Sequence, residues 1–244
     1  MSPLNTPPIT PLEQQQIRAT GREGETFWHR VRFQFVGRVV SQLGAHDVLD
    51  VGAGSGLLGD WLTQHVPSCS YHFEETSPVL DAALARRFGT DQRSPGGAPI
   101  DATTLVTLLD VVEHVQDDAA LLRSLYERMA TGTHLVVTVP ALKWAFTSWD
   151  TNLGHYRRYS RRDVRRLVTH AGFSTVSCSY IFPELLPLLV ARKFRRAPRA
   201  HVDFPQLPTA IDRTGELISR ATTALRTCWP AGTSVVAVLT KTAP

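Results

Sequence analysis

Apolar and polar residues alternate along the chain in a pattern that predicts strands followed by helices. Residues 26–40 place Phe27, Val31, Phe35 and Val39 on one helical stripe, and Gly44 is positioned to end that helix. Apolar, β-branched runs then predict buried strands at 48–51, 71–73, 105–109, 133–139, 173–180 and 233–240. Helical patterns separate most of these runs, so the sequence predicts an α/β fold with a mostly parallel sheet and helices on both faces.

Start and stop signals refine this interpretation. Pro78 suits the first turn of a helix over 78–88, and Ser160 is a candidate cap for a helix that stops before Gly172. Residues 89–103 are rich in Gly, Pro, Asp and Ser and contain no convincing strand. We expect one domain over 25–244, preceded by an arm over 1–24. Within it, 182–231 form an insertion or lid with two helices, near 183–196 and 209–226.

The most informative segment follows the first predicted strand, where Asp50 precedes three glycines at alternate positions, Gly52, Gly54 and Gly56. Such glycines let the backbone turn sharply and let a ligand lie against main chain, before a helix whose first N–H groups are unpaired. Residues 54–59 also match the dinucleotide pattern G-x-G-x-x-G. A pyrophosphate would lie beside the Asp50 carboxylate, whereas the cationic groups of S-adenosylmethionine suit it. The sequence therefore favours S-adenosylmethionine over NAD.

Charge and cysteine content add limits on location and partners. The three cysteines are scattered, the N-terminus lacks the pattern of a signal peptide, and the longest apolar stretch is too short to span a bilayer, so we expect a cytoplasmic protein. Residues 157–199 hold 11 of the 26 Lys and Arg residues. This basic segment can face an anionic substrate, a lipid surface or nucleic acid, or it can be a solvated helix face. In 181–199 an apolar block runs into a basic block, which suits peripheral membrane contact, a lid or a dimer contact.

Taken together, the motifs identify a family resemblance. The chain resembles the class I S-adenosylmethionine-dependent methyltransferases in Phe27-Trp28 and the stretches 48–56, 109–115, 137–140 and 154–160. The last stretch, Gly-His-x-Arg-Arg-Tyr, is similar to a narrower branch of small bacterial enzymes that often act on natural-product, quinone-like or lipid-linked substrates. The resemblance implies a seven-stranded Rossmann-like sheet whose last strand is antiparallel and lies beside the sixth.

The resemblance also implies roles for individual residues. Asp50 and the three glycines would line the methionine part of the cofactor, and Glu74 or Glu75, the latter followed by Thr76, would bind the ribose hydroxyls. The cofactor would also be bordered by the residues after the fourth family strand, Leu109, Asp110 and Val111, and His114 would lie near the transferred methyl group. The family usually has a third strand and then an acid that binds adenine, but here that region offers only Asp91 and Asp101.

Candidate catalytic residues each have a structural alternative. His114 is the best candidate general base and His155 the second, although either can be a structural histidine. Tyr156, Arg157 and Tyr159 can bind an anionic or aromatic acceptor. Arg157 and Arg158 can instead pair with Asp150 or Asp163. The aromatic residues after the fifth family strand can wall an acceptor pocket or belong to the core; they are Trp144, Phe146 and Trp149.

Glu113 and His114 are two adjacent candidate ligands without a third, so the sequence predicts no metal site.

The leading hypothesis is a methyltransferase acting on a small molecule, with a lipid-linked or isoprenoid acceptor at a membrane as the alternative. Nucleic-acid methylation is disfavoured, because Asp110-Val111-Val112-Glu113 stands where the N-P-P-Y signature for flipped bases would be. An NAD-dependent enzyme remains a minor alternative.

Overall fold

The computed structural model describes Glu13, Gln16 and residues 26–102, 104–194 and 207–243. Most of the predicted arm over 1–24 and the end of the basic segment, 195–199, lie outside the described residues. The strands are β1 (Asp47–Val51), β2 (Ser70–Glu74), β3 (Thr104–Leu109), β4 (His134–Pro140), β5 (Ser174–Ile181) and β6 (Ser234–Thr240). The helices are α1 (Phe27–Leu43), α2 (Leu57–His65), α3 (Pro78–Phe88), α4 (Asp118–Arg128), α5 (Ser148–Asn152), α6 (Arg161–His170), α7 (Leu186–Phe194) and α8 (Thr209–Ala224).

All six strands form one sheet in the order β2-β1-β3-β4-β6-β5. β2, β1, β3 and β4 pair in parallel, whereas β6 runs antiparallel between β4 and β5. The predicted α/β architecture is confirmed, including the antiparallel last strand. Because the carboxyl ends of β1, β3 and β4 meet at one edge, the loops that follow these strands are brought together there.

The number of strands corrects what the family resemblance implied. The sheet of the described residues has six strands rather than seven, as the runs of apolar residues predict. Where the family has its third strand, Thr90–Gln92 form a single 3₁₀ turn, and only one bridge, between Phe73 and Arg93, continues the sheet. Glycine and proline in 89–103 explain this, because they supply few side chains and backbone donors for a ladder.

Helices cover both faces of the sheet because each contributes an apolar stripe. On one face, α1, α2 and α3 bury residues that include Val31, Leu62 and Leu84. On the other face, α4 and α6 bury residues that include Leu122 and Val168. The predicted stripe on α1 is confirmed, since all four of its residues are buried, and Gly44 ends the helix in the left-handed conformation with a φ of 62°.

The predicted insertion between β5 and β6 does contain two helices, α7 and α8. α8 packs along α1. Arg30 of α1 pairs with Asp212 of α8, and Nε of Arg30 donates to Oε2 of Glu216 at 2.7 Å. α7 leaves Leu188, Val190 and Phe194 exposed. None of the described helices is both long and apolar enough to cross a membrane. The role of the insertion as a lid stays a prediction.

Candidate functional site

A cavity of about 360 Å³ opens at the edge of the sheet where β1, β3 and β4 end. The loop after β1 contributes Gly52 and Gly54. β3 contributes its last residue, Leu109, and the loop after it contributes Asp110 and His114. α1 and α7 close the cavity from the sides. The cavity is within the size range of ligand pockets, about 300–1,000 Å³. Half of the ten predicted cofactor residues line it, namely Asp50, Gly52, Gly54, Leu109 and Asp110, whereas Gly56, Glu74, Glu75, Thr76 and Val111 do not.

The glycine loop between β1 and α2 has the backbone that its sequence predicts. Gly52, Gly54 and Gly56 have φ values of 74°, 57° and 74°, a region that favours glycine. A Cβ atom on Gly52 would lie 2.8 Å from Cγ2 of Val111, so the absence of a side chain lets the loops after β1 and β3 touch. Leu58, in the first turn of α2, also lines the cavity, so main chain and the helix start both face a ligand.

Asp50 places a buried carboxylate at the base of the cavity. The hydroxyl of Thr107 donates to Oδ1 at 2.7 Å and the hydroxyl of Tyr71 donates to Oδ2 at 3.2 Å. Burial raises the pKa of Asp50 to about 6 despite these two hydrogen bonds. No ion pair joins Asp50 to another described residue, so a cationic group of a ligand would relieve the cost of this buried charge.

The two candidate acids after β2 have different environments. Both oxygens of Glu74 face Arg128, and Nη1 of that arginine donates to Oε2 at 3.0 Å. Glu75 instead accepts from the backbone N of Gly54 at 2.8 Å and from the backbone N of Thr76 at 2.8 Å. Neither acid lines the cavity, but Glu75 contacts the glycine loop directly, whereas Glu74 is paired with Arg128. Asp91 and Asp101 are exposed and do not line the cavity, so neither is placed to bind adenine.

Asp110 is held in an uncommon backbone conformation directly after β3. Its φ is 55°, which is uncommon for a residue other than glycine and is often associated with functional sites. Oδ2 pairs with Nη1 of Arg32 at 2.9 Å, and the hydroxyl of Thr138 donates to Oδ1 at 3.0 Å. The strained turn thus joins the β3 loop to α1 and β4 and directs the following residues into the cavity.

The two candidate catalytic histidines lie against each other. The rings of His114 and His155 are nearly perpendicular, with centroids 4.6 Å apart. Burial and the neighbouring His155 lower the pKa of His114 to about 4, so His114 is uncharged at neutral pH. Nδ1 of His155 lies 3.1 Å from Oδ1 of Asp150, which fixes the orientation of that ring.

Asp150 is the centre of a buried polar network behind His155. Its side chain is 0% exposed, and it also accepts from Nε of Arg158 at 2.7 Å and from the backbone N of Thr147 at 2.9 Å. Burial alone would raise the pKa of Asp150, but the hydrogen bond with His155 and the Arg158 charge outweigh burial and hold it below the usual value. Of the alternatives left open by the sequence, Arg158 pairs with Asp150.

Glu113 lies beside these histidines and is the least expected residue of the site. Its side chain is 0% exposed, and neither carboxylate oxygen has a hydrogen-bond partner. Burial and the neighbouring Asp110 carboxylate raise the pKa of Glu113 well above its usual value. Ligand atoms of Glu113, His114 and His155 all lie within 4.8 Å of one another. The third candidate metal ligand that the sequence lacked is therefore present in the structure.

The candidate acceptor residues do not lie at one site. One lines the cavity of the glycine loop, one lies at neither cavity, and the others lie at a second cavity. Trp149 lines the cavity, and the guanidinium of Arg192 lies 3.6 Å from its ring centroid. Trp144 is 50% exposed and does not line the cavity, and Phe146 lies at a second cavity. That second cavity is also where the other predicted acceptor residues lie, namely Tyr156, Arg157 and Tyr159.

At the second cavity, Arg157 and Tyr159 both contact Asp118. Nη1 of Arg157 pairs with Asp118 Oδ2 at 3.1 Å, rather than with Asp150 or Asp163. The hydroxyl of Tyr159 donates to the same Asp118 oxygen at 2.8 Å, and its ring is part of the core. Their contacts are those of residues that order the loop, and the structure does not bring them to the cavity of the glycine loop.

Three contacts that shape the cavity were not predicted from the sequence: Arg32 with Asp110, Asp150 with His155, and His155 with Glu113 and His114. Arg32 belongs to α1 and reaches Asp110, 78 positions further along the chain. The one signal in the sequence was the pair of polar residues within an otherwise apolar helix face, His29 and Arg32, which both line the cavity.

The sequence of the chain matches a known protein family. Residues 27–178 match the family described as a methyltransferase domain, which is more than half of the chain. No match is found among curated proteins.

Solved structures share the fold at low sequence identity. A chain of the complex that contains the Haloferax volcanii Trm112 methyltransferase activator is 14% identical with a TM-score of 0.60, over 95% of this chain and 98% of that chain. A SAM-dependent methyltransferase from Archaeoglobus fulgidus is 14% identical with a TM-score of 0.53, over 86% and 94%. Haemonchus contortus phosphoethanolamine N-methyltransferase 2 in complex with S-adenosyl-L-methionine is 11% identical with a TM-score of 0.56, over 95% and 57%.

Proposed function

The chain belongs to the methyltransferase domain family and uses S-adenosylmethionine as its cofactor, and we propose that it methylates a small-molecule acceptor bound in the cavity at the ends of β1, β3 and β4. The observation that carries this proposal is the position of Asp50. Its buried carboxylate, without a cationic partner among the described residues, shares one cavity with the glycine loop and with His114 and His155.

In this proposal the residues around the glycine loop bind the cofactor. Asp50 holds the α-ammonium group, the bare main chain at Gly52 and Gly54 lies against the methionine part, and Glu75 accepts hydrogen bonds from the ribose. Leu109, Asp110 and Val111 border the cofactor on the side of β3. Bound there, S-adenosylmethionine supplies a methyl group on a positively charged sulfur.

The acceptor is proposed to lie between Trp149 and the two histidines. Trp149 contributes an apolar wall, and α7 contributes Leu189, so both exclude water from the reacting groups. His114 and His155 present ring nitrogens to the polar group of the acceptor, and Asp150 keeps the His155 ring in one orientation. This division suits a molecule with an apolar body and one polar group.

Calorimetric titration with S-adenosylhomocysteine tests the cofactor assignment, and its pH dependence tests Asp50. Affinity should fall about tenfold between pH 7 and pH 5, because Asp50, with a pKa of about 6, becomes protonated and no longer attracts the ammonium group. Asp50→Asn should bind weakly at both pH values. NAD is the control ligand, and an affinity that Asp50→Asn leaves unchanged would contradict the role of Asp50.

His114→Ala should reduce turnover about 10²- to 10⁴-fold, the usual range for a residue that moves a proton or polarises a reacting group. S-adenosylhomocysteine affinity should change little, because the proposed cofactor contacts lie on the glycine loop. Turnover is measured as release of S-adenosylhomocysteine with the first acceptor found in a panel of phenols and quinols. His170→Ala, an exposed histidine at the end of α6, is the control. Parental turnover in His114→Ala would remove His114 from the catalytic residues.

The exposed apolar residues of α7 favour a second candidate, a lipid-linked acceptor reached at a membrane surface. Leu188 and Phe194 are 67% and 79% exposed, while Leu189 of the same helix lines the cavity. We expect this form of the proposal to show binding to anionic liposomes that Phe194→Glu weakens severalfold. Leu217→Glu, on the exposed face of α8, is the matched control. If Phe194→Glu and Leu217→Glu bind liposomes equally well, the lipid-linked acceptor is wrong and the small-molecule acceptor remains.

A further inference from the structure

Three side chains with metal-binding atoms converge in the cavity, although they come from two distant parts of the chain. Glu113 and His114 form a 3₁₀ turn directly after β3, and His155 lies in the loop after α5. The backbone N of Tyr156 donates to the carbonyl of Glu113 at 2.8 Å, which ties the two segments together. One ligand atom from each of the three residues lies within 4.8 Å of the others.

The charges around this cluster leave one carboxylate without compensation. Asp110 pairs with Arg32 at 2.9 Å, and Asp150 pairs with Arg158 at 2.7 Å. Glu113 has no such partner among the described residues, and both of its oxygens are buried without hydrogen bonds. A charged carboxylate that is buried without a direct ion pair or a side-chain hydrogen bond is costly, and such groups in proteins are usually paired or coordinate metals.

The two histidines have the surroundings of metal ligands. Asp150 Oδ1 accepts from Nδ1 of His155, so Nε2 of that ring keeps its lone pair. This arrangement of carboxylate and imidazole is common behind metal-bound histidines. His114 is hydrogen-bonded to the backbone of Gly154, which holds its ring in one orientation.

We infer that Glu113, His114 and His155 bind one divalent cation, and that the cation in turn binds a hydroxyl oxygen of the acceptor. The second part rests on the proposed function. Two imidazole nitrogens and one carboxylate oxygen suit Mn²⁺, Fe²⁺, Co²⁺ or Zn²⁺ better than Mg²⁺ or Ca²⁺, which prefer oxygen ligands. Three protein ligands leave coordination positions open for the acceptor.

Such a cation gives the site a way to activate a hydroxyl acceptor without a strong base. An oxygen bound to a divalent cation loses its proton more readily, and that proton can pass to solvent water. The acceptor class that follows is a phenol, enol or alcohol whose oxygen can reach the cation.

The test uses the full chain treated with a chelator, without cofactor or acceptor. Mn²⁺ is the first probe, because its binding is followed by electron paramagnetic resonance and thiolates bind it weakly; Zn²⁺ is the second. We expect one equivalent of Mn²⁺ to bind, and Glu113→Gln and His155→Asn each to weaken binding by at least ~100-fold. Asp150→Asn, which keeps the three proposed ligands and changes the carboxylate behind His155, should weaken binding ~10- to 100-fold.

Two controls separate loss of a ligand from loss of the fold. His170→Gln should bind Mn²⁺ like the parent. Glu113→Gln should unfold in chelator at a temperature no lower than the parent, because glutamine is uncharged and keeps the shape of the side chain. Addition of Mn²⁺ or Zn²⁺ should then raise the unfolding temperature of the parent and not that of Glu113→Gln.

Titration with S-adenosylhomocysteine in the same samples distinguishes this inference from the proposed function. A chelator-treated protein that binds S-adenosylhomocysteine but neither Mn²⁺ nor Zn²⁺ overturns the metal site and leaves the proposed function standing. Cation binding that both Glu113→Gln and His155→Asn leave intact also overturns it, since the ion would then lie elsewhere. Failure to bind S-adenosylhomocysteine, with or without the cation, is a failure of the proposed function.

Discussion

Replacing Gly54 with valine should weaken S-adenosylhomocysteine binding by at least ~100-fold, which corresponds to about 2.8 kcal/mol. Gly54 has a φ of 57°, where a β-branched residue is strained, and its missing side chain faces the cavity beside Gln16. Valine would both strain the loop and fill space that the methionine part of the cofactor needs. Calorimetry measures the affinity, and circular dichroism confirms that the variant is folded.

Gly96→Val is the matched control for this prediction. A Cβ atom added at Gly96 would meet no other atom within 4 Å, and Gly96 has no positive φ, so valine there should leave affinity and stability close to those of the parent. Gly54→Ala is the milder variant if valine impairs folding, and it should still lose most of the affinity. Affinity within a few-fold of the parent in both Gly54 variants would mean that the cofactor does not lie against this loop.

Replacing Asp150 with alanine should reduce the free energy of unfolding by about 3–5 kcal/mol. The fully buried carboxylate accepts hydrogen bonds from Arg158 at 2.7 Å, from His155 at 3.1 Å and from the backbone N of Thr147 at 2.9 Å. Alanine leaves the Arg158 guanidinium buried with its charge uncompensated and frees the His155 ring. Urea unfolding measures the loss.

Asp81→Ala is the control that separates the effect of burial from the effect of losing an ion pair. Asp81 also pairs with an arginine, Arg93, but that arginine side chain is 43% exposed, so the loss should be under about 1 kcal/mol. Asp150→Asn should be intermediate, because it keeps a hydrogen-bond acceptor for Thr147 but not the charge. Equal losses in Asp150→Ala and Asp81→Ala would show that the Asp150 network contributes no more than a surface pair.

The glycine loop of the proposed cofactor site is formed by residues that are close together in the sequence. β1 with Asp50, the glycine loop and α2 are contiguous, so the turn that the glycines allow and the acid before it can both be recognised from adjacent residues. The same is true of Ser160, whose hydroxyl accepts from the backbone N of Asp163 at 3.1 Å. The missing strand in 89–103 was predictable too, since glycine and proline there cannot support a ladder.

The positions of the proposed acceptor residues could not be predicted, because they depend on the directions of individual side chains. Trp144 and Trp149 are five positions apart and look alike in the sequence. The first lies in a 3₁₀ turn and is half exposed, and the second lies on α5 and lines the cavity. Arg157 and Arg158 are adjacent, yet they pair with Asp118 and Asp150. No period or spacing predicts such choices in a loop.

The sequence by itself determined the α/β fold, the six strands and the cofactor loop, because each follows from short-range rules for apolar periodicity and glycine conformation. Only the tertiary structure decided that His155 meets Glu113 and His114, that Arg32 reaches Asp110, and that Glu113 is left without a partner among the described residues. These contacts join segments more than 35 positions apart, and they form only because parallel strands bring their carboxyl ends to one edge. The tertiary structure therefore brings together at that edge side chains that are far apart in the sequence.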